Sequence, residues 1–480
     1  MAGAAGTQAP GPALRTLADS ARRAVNGGWK MICSTKLQRS VLAGVLAGAL
    51  FPGAAGAASF YIIESSPSEL GQAFAGISSA AGDTSTAYFN PAGLTRLDGR
   101  RVSAAGHLVY PYAEFNDKGS TNDFTGQPIS GPEGETDESA FVPNLYYVMP
   151  LGNGMKFGLA INAPFGLASS YKDDWVGRYH ATDSDLKTIN INPSIAYQAT
   201  DRLSIAGGIS YQPIEATLDS EVDSAAACVK AGDTPGSCGT KHGGFANRSS
   251  DSSSKIEGDD SAFAVNLGVL YEVDADTRIG ATWRQGQDYT LSGTVDFTQS
   301  QSCMNDPFCS GALQDGKVKA DIQLPDILTL GVTHAIDDAW TVSGDVSWYD
   351  WSALDEVRVE RKGSGQEVST LDLQYNDTNR YSVGVTYAPA GKWTWRGGVS
   401  LDETPISGPD TVTPRIPDGD RTWISAGFNY AVSDTASVDV GYAHLFVDQA
   451  RIDNSEQGNT LRGKFDPTVD IFGVQGNWRF

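Results

Sequence analysis

Hydrophobic and polar residues alternate with a period of two from about residue 101 to the C-terminus. One clear stretch has Phe263, Val265, Leu267, Val269 and Tyr271 separated by small or polar residues. The same alternation recurs around Trp340 and around Ile424. A period of two predicts β-strands with one apolar and one polar face. A soluble β-sandwich would show the same alternation, so this pattern predicts strands without deciding the architecture.

The connections between the predicted strands alternate in length. Short turns fall at 152–154, 200–201, 274–276, 337–338, 389–391 and 433–435, and long loops include 219–260 and 298–317. Short turns, long outer loops and an even strand number are typical of outer-membrane barrels. We therefore predict an all-β fold, a 14-stranded antiparallel transmembrane β-barrel over residues 101–480. The strands are predicted at 101–115, 140–151, 155–166, 186–199, 202–218, 261–273, 277–297, 318–336, 339–350, 371–388, 392–402, 420–432, 436–448 and 467–480.

The last predicted strand supports a membrane barrel. Phe472, Val474, Trp478 and the terminal Phe480 share one face, and Gln475, Asn477 and Arg479 share the other. A C-terminal aromatic residue on such a strand is what barrel-assembly machinery is expected to recognise. The alternative is an edge strand of a secreted sandwich.

The first 57 residues have the features of an export signal peptide. Basic residues precede an apolar stretch at 41–51, and an A-x-A cleavage motif stands at 55–57. The alternative is a buried N-terminal helix. Met31 also opens a leader of ordinary length, so we regard residues 1–30 as a candidate for a misplaced start codon. A leader of this kind predicts an exported protein, and the barrel pattern predicts that its destination is the Gram-negative outer membrane.

Residues 58–98 stand between the leader and the barrel and carry helix signals. Ser66 can cap a helix, Pro67 fits its first turn, Glu69 completes a capping box and Gly76 can end it. The segment is too short to form a domain. A barrel of fourteen strands leaves a bore that would leak unless it were plugged. We therefore predict that this segment is a small helical hatch in the lumen, which excludes a general porin.

The charge balance limits the choice of partners. The formal net charge is −22, so a nucleic-acid partner is not expected. Acidic residues concentrate in predicted loops, where the simpler interpretation is solubility and the alternative is a cation-bridged contact with lipopolysaccharide. We expect a monomer surrounded by outer-membrane lipid and lipopolysaccharide, without a cofactor. No apolar run outside the leader is long enough for a transmembrane helix.

Four cysteines remain after the leader, in two close pairs. Cys228 and Cys238 lie in one predicted loop, and Cys303 and Cys309 lie in another. Four cysteines permit three pairings, and a local disulfide in each loop is the economical one for an exported chain. Zinc would need thiolates or histidines gathered at one place, and His242 near Cys238 is too little for a metal site.

Catalysis and adhesion are the competing classes of function. Outer-membrane lipid hydrolases and proteases use the same scaffold, but none of the five histidines stands in a recognisable nucleophile setting. The H-E-x-x-H, G-x-S-x-G and P-loop patterns are absent. We therefore predict that the chain is not an enzyme. A surface receptor or adhesin, whose long loops bind partners, is the other alternative.

Several motifs together resemble one known family. Glu69-Leu70-Gly71 through Ala75-Gly76, followed by Asn90-Pro91-Ala92-Gly93-Leu94, resembles the hatch of FadL-type long-chain fatty acid transporters. Further family-like motifs are Asn192-Pro193-Ser194, Leu324-Pro325-Asp326, Asp402-Glu403-Thr404-Pro405 and Arg415-Ile416-Pro417-Asp418. The resemblance covers residues 58–480. It implies a hatch motif at Asn90, Pro91 and Ala92, and transport of long-chain fatty acids or, alternatively, of aromatic or alkane hydrocarbons.

The resemblance also implies a lateral opening in the third strand. The family has an inward kink there, through which an apolar ligand leaves for the outer leaflet. In this chain the strand contains Asn162, Pro164 and Gly166. Proline cannot donate to the ladder and glycine permits a bulge. The alternative is that the strand simply ends there.

Three ligand-binding residues follow from the same resemblance. Phe60 matches an early aromatic residue that approaches the ligand, with anchoring against the barrel wall as the alternative. Arg358 falls where the family carries a basic residue near the ligand carboxylate, and Asp402 falls where an acidic partner is expected. A rim charge is the alternative for Arg358. A second basic residue expected within 212–218 is absent, which weakens the prediction of fatty acids.

Overall fold

Strands make up most of residues 101–480 in the computed structural model, which describes residues 59–480. The predicted signal peptide lies outside the described residues. The strands are β1 Arg101–Asp117, β2 Thr121–Asn122, β3 Glu135–Thr136, β4 Ala140–Gly152, β5 Met155–Asn162, β6 Gly166–Ser170, β7 Asp183–Thr188, β8 Asn190–Gln198, β9 Leu203–Val222, β10 Ser252–Glu272, β11 Thr277–Arg284, β12 Asp288–Thr298, β13 Gly316–Gln323, β14 Ile327–Ala335, β15 Trp340–Tyr349, β16 Glu356–Arg361, β17 Glu367–Asp372, β18 Thr378–Tyr387, β19 Trp393–Asp402, β20 Arg421–Ser433, β21 Ala436–Val447, β22 Ala450–Glu456 and β23 Asn459–Arg479. The helices are α1 Pro67–Leu70, α2 Thr86–Phe89, α3 Ser224–Lys230, α4 Pro235–His242, α5 Gln301–Met304 and α6 Pro307–Ala312, with 3-10 turns at Pro91–Arg96, Arg248–Ser250 and Trp351–Ala353.

These strands form a closed antiparallel barrel with a 14-stranded wall, as predicted. Seven wall strands are interrupted and consist of two consecutive pieces: β5–β6, β7–β8, β11–β12, β13–β14, β15–β16, β17–β18 and β21–β22. The pairing of β1 with β23, from Arg101 opposite Arg479 to Asp117 opposite Gly463, closes the wall. Closure removes the free edge that an open sheet would expose. We call the end with the long loops the loop end and the other the turn end.

The alternation predicted from the sequence sorts the side chains by face. In β10, Phe263 and Leu267 are exposed on the outside, while Asn266 and Leu270 are buried inside. Exposed apolar side chains on a closed barrel form the surface that lipid covers. None of the helices in residues 59–480 has the length and hydropathy of a membrane span.

The strands extend further towards the loop end than the sequence predicts. β23 begins at Asn459 rather than 467, and β22 continues the preceding strand. β16 and most of β17 occupy a stretch predicted as loop. The polarity of the wall reverses there. In β16, Val359 is buried inside and Arg358 is exposed outside, because water rather than lipid covers the outer face at this height. A search for apolar outward faces misses such strands.

Residues 59–98 form a short N-terminal segment that packs against the inner faces of the wall strands. Its first helix, α1, contacts β20, β21 and β23, and its 3-10 turn contacts β5, β8, β9 and β10. Ser66 caps α1 by accepting a hydrogen bond from the amide of Glu69, as predicted. The helix ends at Leu70, earlier than the predicted Gly76, because Ala73 and Phe74 have positive φ angles of 53° and 56°.

Inward-facing glycines let the N-terminal segment approach the wall. A Cβ atom at Gly398 would lie 2.2 Å from the carbonyl oxygen of Gln72, whereas one at the neighbouring Gly397 would have its nearest contact at 3.9 Å. Only glycine therefore fits at position 398 while the segment keeps its place.

The long loops carry their own small helical clusters. Cys228 is bonded to Cys238, which joins α3 to α4, and Cys303 is bonded to Cys309, which joins α5 to α6. The four half-cystines pack together with Val222 and other apolar side chains in one buried cluster. His242 and Asp306 lie next to Cys228, but a sulfur in a disulfide is not the thiolate that zinc binds.

Candidate functional site

A cleft opens at the loop end between the helical clusters and the wall. Its volume is about 460 Å³, within the ~300–1,000 Å³ range of small-molecule pockets. We call it the outer cleft. Its apolar lining includes Leu218, Val222, Ile256, Phe297, Val357 and Val359. Helices α3 and α6 contribute the rim, so the two disulfides hold the loops that shape it.

Charged side chains also line the outer cleft. The basic ones are Lys230, Arg361 and Arg415, and the acidic ones are Asp223, Glu367 and Glu456. Asp223 is engaged locally, because its carboxylate caps α3 and accepts a hydrogen bond from the amide of Ala246 at 2.8 Å. The cleft thus combines an apolar floor with side chains of both charges.

An apolar path leads from the outer cleft into the barrel. A second, smaller cavity of about 40 Å³ shares Leu218, Ile256, Val357 and Val359 with the cleft. It adds Leu291 and Ile322, which belong to the core cluster of the lumen. The same cluster contains Phe60, Phe165 and Trp351. Apolar side chains are therefore continuous from the cleft to these three aromatic rings.

The rings lie at an interruption of the third wall strand. β5 ends at Asn162 and β6 starts at Gly166, and we call residues 163–165 the wall break. The second wall strand, β4, pairs with β1 from Ala140 onwards. It pairs with β5 only from Leu145 onwards, so the ladder between the second and third wall strands is incomplete. The strand resumes after the break, in contrast to the alternative that it ends there.

The N-terminal segment holds the wall break from inside the barrel. The amide of Ile62 donates to the carbonyl of Pro164 at 2.7 Å, and the amide of Gly166 donates to the carbonyl of Phe60 at 3.1 Å. Tyr61 and Phe165 form an isolated antiparallel bridge between these bonds. Residues 60–62 thus pair with the break from inside the barrel. Phe165 also remains bonded to the wall strand β7, since its amide donates to the hydroxyl of Thr188 at 3.0 Å and its carbonyl accepts from the amide of Thr188 at 3.2 Å.

Asn162 lies beside the wall break in a small polar ladder. Its side-chain amide donates to the hydroxyl of Ser65 at 3.0 Å, and its carbonyl oxygen accepts from Asn190 at 2.7 Å. This arrangement connects the end of β5 to the N-terminal segment on one side and to β8 on the other.

Phe60 is buried where the apolar path meets the wall break. Its ring centroid lies 5.2 Å from that of Trp351 and 5.9 Å from that of Phe165. It therefore contacts the barrel wall and borders the path as well.

The structure does not bring Arg358 and Asp402 together. Arg358 points outwards from β16 and pairs with Glu356 at 2.8 Å, with about half of its side chain exposed. The prediction that it lines the ligand pocket is wrong, because its neighbours Val357 and Val359 take the inward positions. Asp402 is buried on the inner face of β19.

Arg380, which the sequence analysis missed, is the cation beside Asp402. Its Nε lies 3.8 Å from a carboxylate oxygen of Asp402, and its guanidinium donates to Ser382 and to the carbonyl of Ala73. The strand alternation of β18 could have identified it, because Arg380 shares the inward face with Ser382. This pair anchors the N-terminal segment at some distance from the outer cleft.

Asn90, Pro91 and Ala92 connect the N-terminal segment to the wall. The side chain of Asn90 accepts from the amide of Ala92 at 3.1 Å and so begins the 3-10 turn, with Pro91 at its first position. The same side chain donates to the carbonyls of Ser78 at 2.6 Å and Val269 at 3.0 Å. Asn90 thus bonds the N-terminal segment to β10.

Comparisons with known proteins agree with this architecture. The sequence profile of the family described as "Outer membrane protein transport protein (OMPP1/FadL/TodX)" matches residues 48–480. A long-chain fatty acid transport protein of Escherichia coli O6:H1 is 28% identical over 457 residues, which cover 93% of this chain and 99% of the relative.

Two solved structures share the fold. The crystal structure of a Pseudomonas aeruginosa FadL homologue matches with a TM-score of 0.80 at 21% identity, over 88% of this chain and 100% of that one. The Pseudomonas putida toluene transporter TodX matches with a TM-score of 0.66 at 17% identity, over 87% of this chain and 99% of that one.

Proposed function

Because the chain belongs to the OMPP1/FadL/TodX family of outer-membrane transport proteins, we propose that it carries long-chain fatty acids across the outer membrane. Members of this family are transporters or channels, so the chain is a transporter of hydrophobic compounds rather than an enzyme. In our proposal the ligand binds in the outer cleft, moves along the apolar path into the lumen and leaves sideways through the wall break.

The continuous apolar lining between the outer cleft and the wall break carries this proposal. A linear hydrocarbon chain gains roughly 0.8 kcal/mol for each methylene that leaves water. A route that ends in lipid keeps that gain, whereas a route into periplasmic water loses it. In this proposal the ligand reaches lipid at the incomplete ladder between the second and third wall strands, where residues 140–144 of β4 pair with β1 but not with β5.

Hydrogen bonds between the N-terminal segment and the wall support its proposed role as a hatch. It is bonded to the wall at several heights: Asp345 of β15 accepts from the amide of Ser78 at 3.2 Å, and Arg380 of β18 donates to Ala73. We propose that residues 58–98 act as the hatch that blocks direct passage, so that the lateral route is the open one.

The surroundings of the barrel form part of the proposal. The wall closes on itself, so no second copy is needed to complete it. We propose a monomer. The part of its wall towards the turn end contacts lipid, and its loop end contacts lipopolysaccharide.

Uptake by cells that lack a fatty acid transporter of their own tests the function. Cells that express the chain should accumulate radiolabelled hexadecanoate faster than cells with an empty vector. Preferential uptake of toluene, without any gain for hexadecanoate, would replace fatty acids by aromatic hydrocarbons as the substrate class.

A further inference from the structure

Ser59, at the start of the N-terminal segment, is buried and bonded through both its backbone and its side chain. Only 7% of the residue is exposed. Its amide donates to Oδ2 of Asp418 at 3.1 Å, and its carbonyl accepts from Nη2 of Arg421 at 2.9 Å. Its hydroxyl donates to the hydroxyl of Tyr375 at 3.0 Å. The three partners belong to β20 and to the connections before β18 and β20, so the wall and its loops fix the start of the segment.

The carboxylate of Asp418 is the centre of these contacts. Its side chain is 3% exposed. Oδ1 accepts from Nη2 of Arg421 at 2.7 Å, and Oδ2 accepts from the hydroxyl of Thr404 at 3.1 Å as well as from Ser59. Burial of a carboxylate is tolerated where hydrogen bonds and a cation compensate for the lost water. Asp418 thus places a fixed negative charge beside the backbone of Ser59.

Negative charges outnumber positive ones around this contact. Asp418 pairs with Arg421, and a carboxylate oxygen of Asp402 lies 3.8 Å from Nε of Arg380. The third carboxylate is that of Glu64, which is buried and forms no ion pair among residues 59–480. The charges of Arg421, Asp402 and Arg380 act on it. Three carboxylates thus share two guanidinium groups, and a buried group of charges that lacks a counter-ion is unfavourable.

Neighbouring charges do not supply the missing cation. Asp345 acts on this group from beside Arg380, Asp420 acts on it from beside Asp418, and both are acidic. The set of charges that we call the Asp418 cluster consists of Glu64, Asp402, Asp418, Arg380 and Arg421. Within residues 59–480 this cluster carries one negative charge in excess.

The predicted processing of the chain supplies one cation at this place. Cleavage after the A-x-A motif at 55–57 leaves Ala58 as the first residue, with a free α-amino group. An α-amino group is largely protonated at neutral pH, because its ordinary pKa is about 8. Adjacent backbone nitrogens are about 3–4 Å apart, and the amide nitrogen of Ser59 lies 3.1 Å from Asp418. The ammonium group of Ala58 is therefore within reach of the Asp418 cluster.

We propose that the α-ammonium group of Ala58 occupies a site beside Asp418 and supplies the counter-ion that the Asp418 cluster lacks. The occupant is thus the chain's own new terminus, and removal of the leader creates it. Before cleavage the same nitrogen is a neutral amide, and the cluster keeps its excess negative charge. Docking of the N-terminal segment is thereby coupled to removal of the leader. The proposal goes beyond the proposed function, since it holds for any transported ligand.

The pKa of the α-amino group in the folded mature barrel tests the proposal. Trace acetylation with acetic anhydride at a series of pH values in non-ionic detergent, followed by mass spectrometry of the N-terminal peptide, measures this pKa. We expect it to be raised, because the carboxylates of the cluster favour the charged form of the amine. At pH 8 the reactivity, normalised to its plateau at high pH, should be roughly 5- to 10-fold lower than in the chain unfolded in urea.

Matched variants attribute this change to charge. Glu64→Gln removes the excess negative charge with little change in size, and should lower the α-amino pKa and recover most of the lost reactivity at pH 8. Glu69→Gln makes the same change in the same segment, but Glu69 accepts from Gln72 and lies near Asp83 instead of the cluster. It should leave the α-amino pKa unchanged. Insertion of Gly-Gly between residues 57 and 58 moves the ammonium group away by two residues, and should return its pKa to about 8.

The outcomes are independent of the transported ligand. An α-amino pKa at or below its ordinary value in the folded wild-type barrel would overturn the proposal, and so would a mature chain that starts at a residue other than Ala58. Equal effects of Glu64→Gln and Glu69→Gln would also overturn it, because the change would then not depend on the Asp418 cluster. If the variant with the insertion lacks heat-modifiable migration, the comparison of the two glutamine variants decides. None of these results changes the proposed transport.

Discussion

The outer cleft and the wall break differ in what lines them and in what holds them. The cleft measures about 460 Å³, carries charged side chains and depends on loops that two disulfides cross-link. The wall break is filled by aromatic rings, those of Phe60, Phe165 and Trp351, and is held by backbone hydrogen bonds. Selection of an amphipathic ligand needs fixed charges, whereas passage of its tail is easiest where charges are absent.

The two regions also differ in how easily they can rearrange. The loops of the cleft have only a small core of their own, so covalent links keep their shape. The wall break is joined to residues 60–62 by two direct backbone hydrogen bonds. Each such bond contributes about 0.5–1.5 kcal/mol net, so separating them is well within thermal reach. We therefore expect the cleft to be the constant part of the route and the break to be the part that moves.

Straightening the third wall strand should have the largest effect. In this double variant, Pro164→Val restores an N–H donor within the break, and Gly166→Val places a strand-favouring side chain at the first residue of β6. A Cβ atom at position 166 would also lie 2.6 Å from Cδ1 of Ile62, which favours movement of the strand away from the N-terminal segment. Hexadecanoate uptake by cells should fall to the vector background, while binding in detergent persists.

A second pair of substitutions controls for the general effect of valine. Pro143→Val combined with Gly207→Val makes the same chemical changes in β4 and β9, and a Cβ atom at position 207 would have its nearest contact at 3.5 Å. This variant should transport normally. Normal uptake through the straightened strand, in a barrel with native heat-modifiable migration, would rule out lateral release and favour passage past a moving hatch.

Displacing the N-terminal segment should have the next largest effect, and a different one. Gly398→Ala places a Cβ atom 2.2 Å from the carbonyl of Gln72, and such overpacking typically destabilises by about 1–3 kcal/mol. If residues 58–98 block the lumen, sensitivity of cells to large hydrophilic antibiotics should rise. Gly397→Ala, one residue away with its nearest contact at 3.9 Å, should not change it. Equal sensitivity of the two variants would contradict the hatch.

Removing the disulfides should affect the cleft but not the wall break. Each bridge closes a short loop, with sequence separations of 10 and 6 residues, for which about 2–3 kcal/mol of local stabilisation is expected. Replacing all four cysteines by serine should make residues 223–251 sensitive to trypsin and reduce hexadecanoate affinity several-fold. The barrel should still show native heat-modifiable migration, since its wall contains none of these residues. Loss of that migration would mean that the loops support the wall.

The fold could be predicted from the sequence mainly where lipid determines the pattern. In the part of the wall that carries apolar residues outside, a residue such as Phe263 alternates with an inward Ala264. This alternation predicted the number of strands and the order of turns and loops. Towards the loop end the polarity reverses, as in Val357 and Arg358. The sequence does not mark the height at which water replaces lipid, so these outer strand segments were predicted as loops.

The candidate residues could be predicted from the sequence only where a local pattern indicates the course of the backbone or the direction of a side chain. The wall break could be predicted because proline and glycine in a strand have local backbone consequences. The buried Arg380 could have been found as well, because the outward Tyr381 and Val383 mark the outer face of its strand. Arg358 was chosen instead from the family resemblance, in a stretch predicted as loop where no alternation indicated its direction.

The smallest expected effect belongs to Arg358, and it sharpens the difference between the inner and outer faces of the cleft wall. Arg358→Ala removes a half-exposed side chain whose ion pair with Glu356 is open to water. Exposed pairs of this kind contribute about 0–1 kcal/mol, and surface substitutions usually change stability by less than about 0.5 kcal/mol. Hexadecanoate affinity, uptake and denaturant midpoint should therefore all remain close to wild type. Val359→Ala, at the next position but on the inner face, should instead weaken hexadecanoate and hexadecan-1-ol equally, by the roughly 1 kcal/mol expected for lost apolar contact. A selective loss of hexadecanoate binding in Arg358→Ala would mean that β16 turns over when ligand binds, and the assignment of its two faces would have to be reversed.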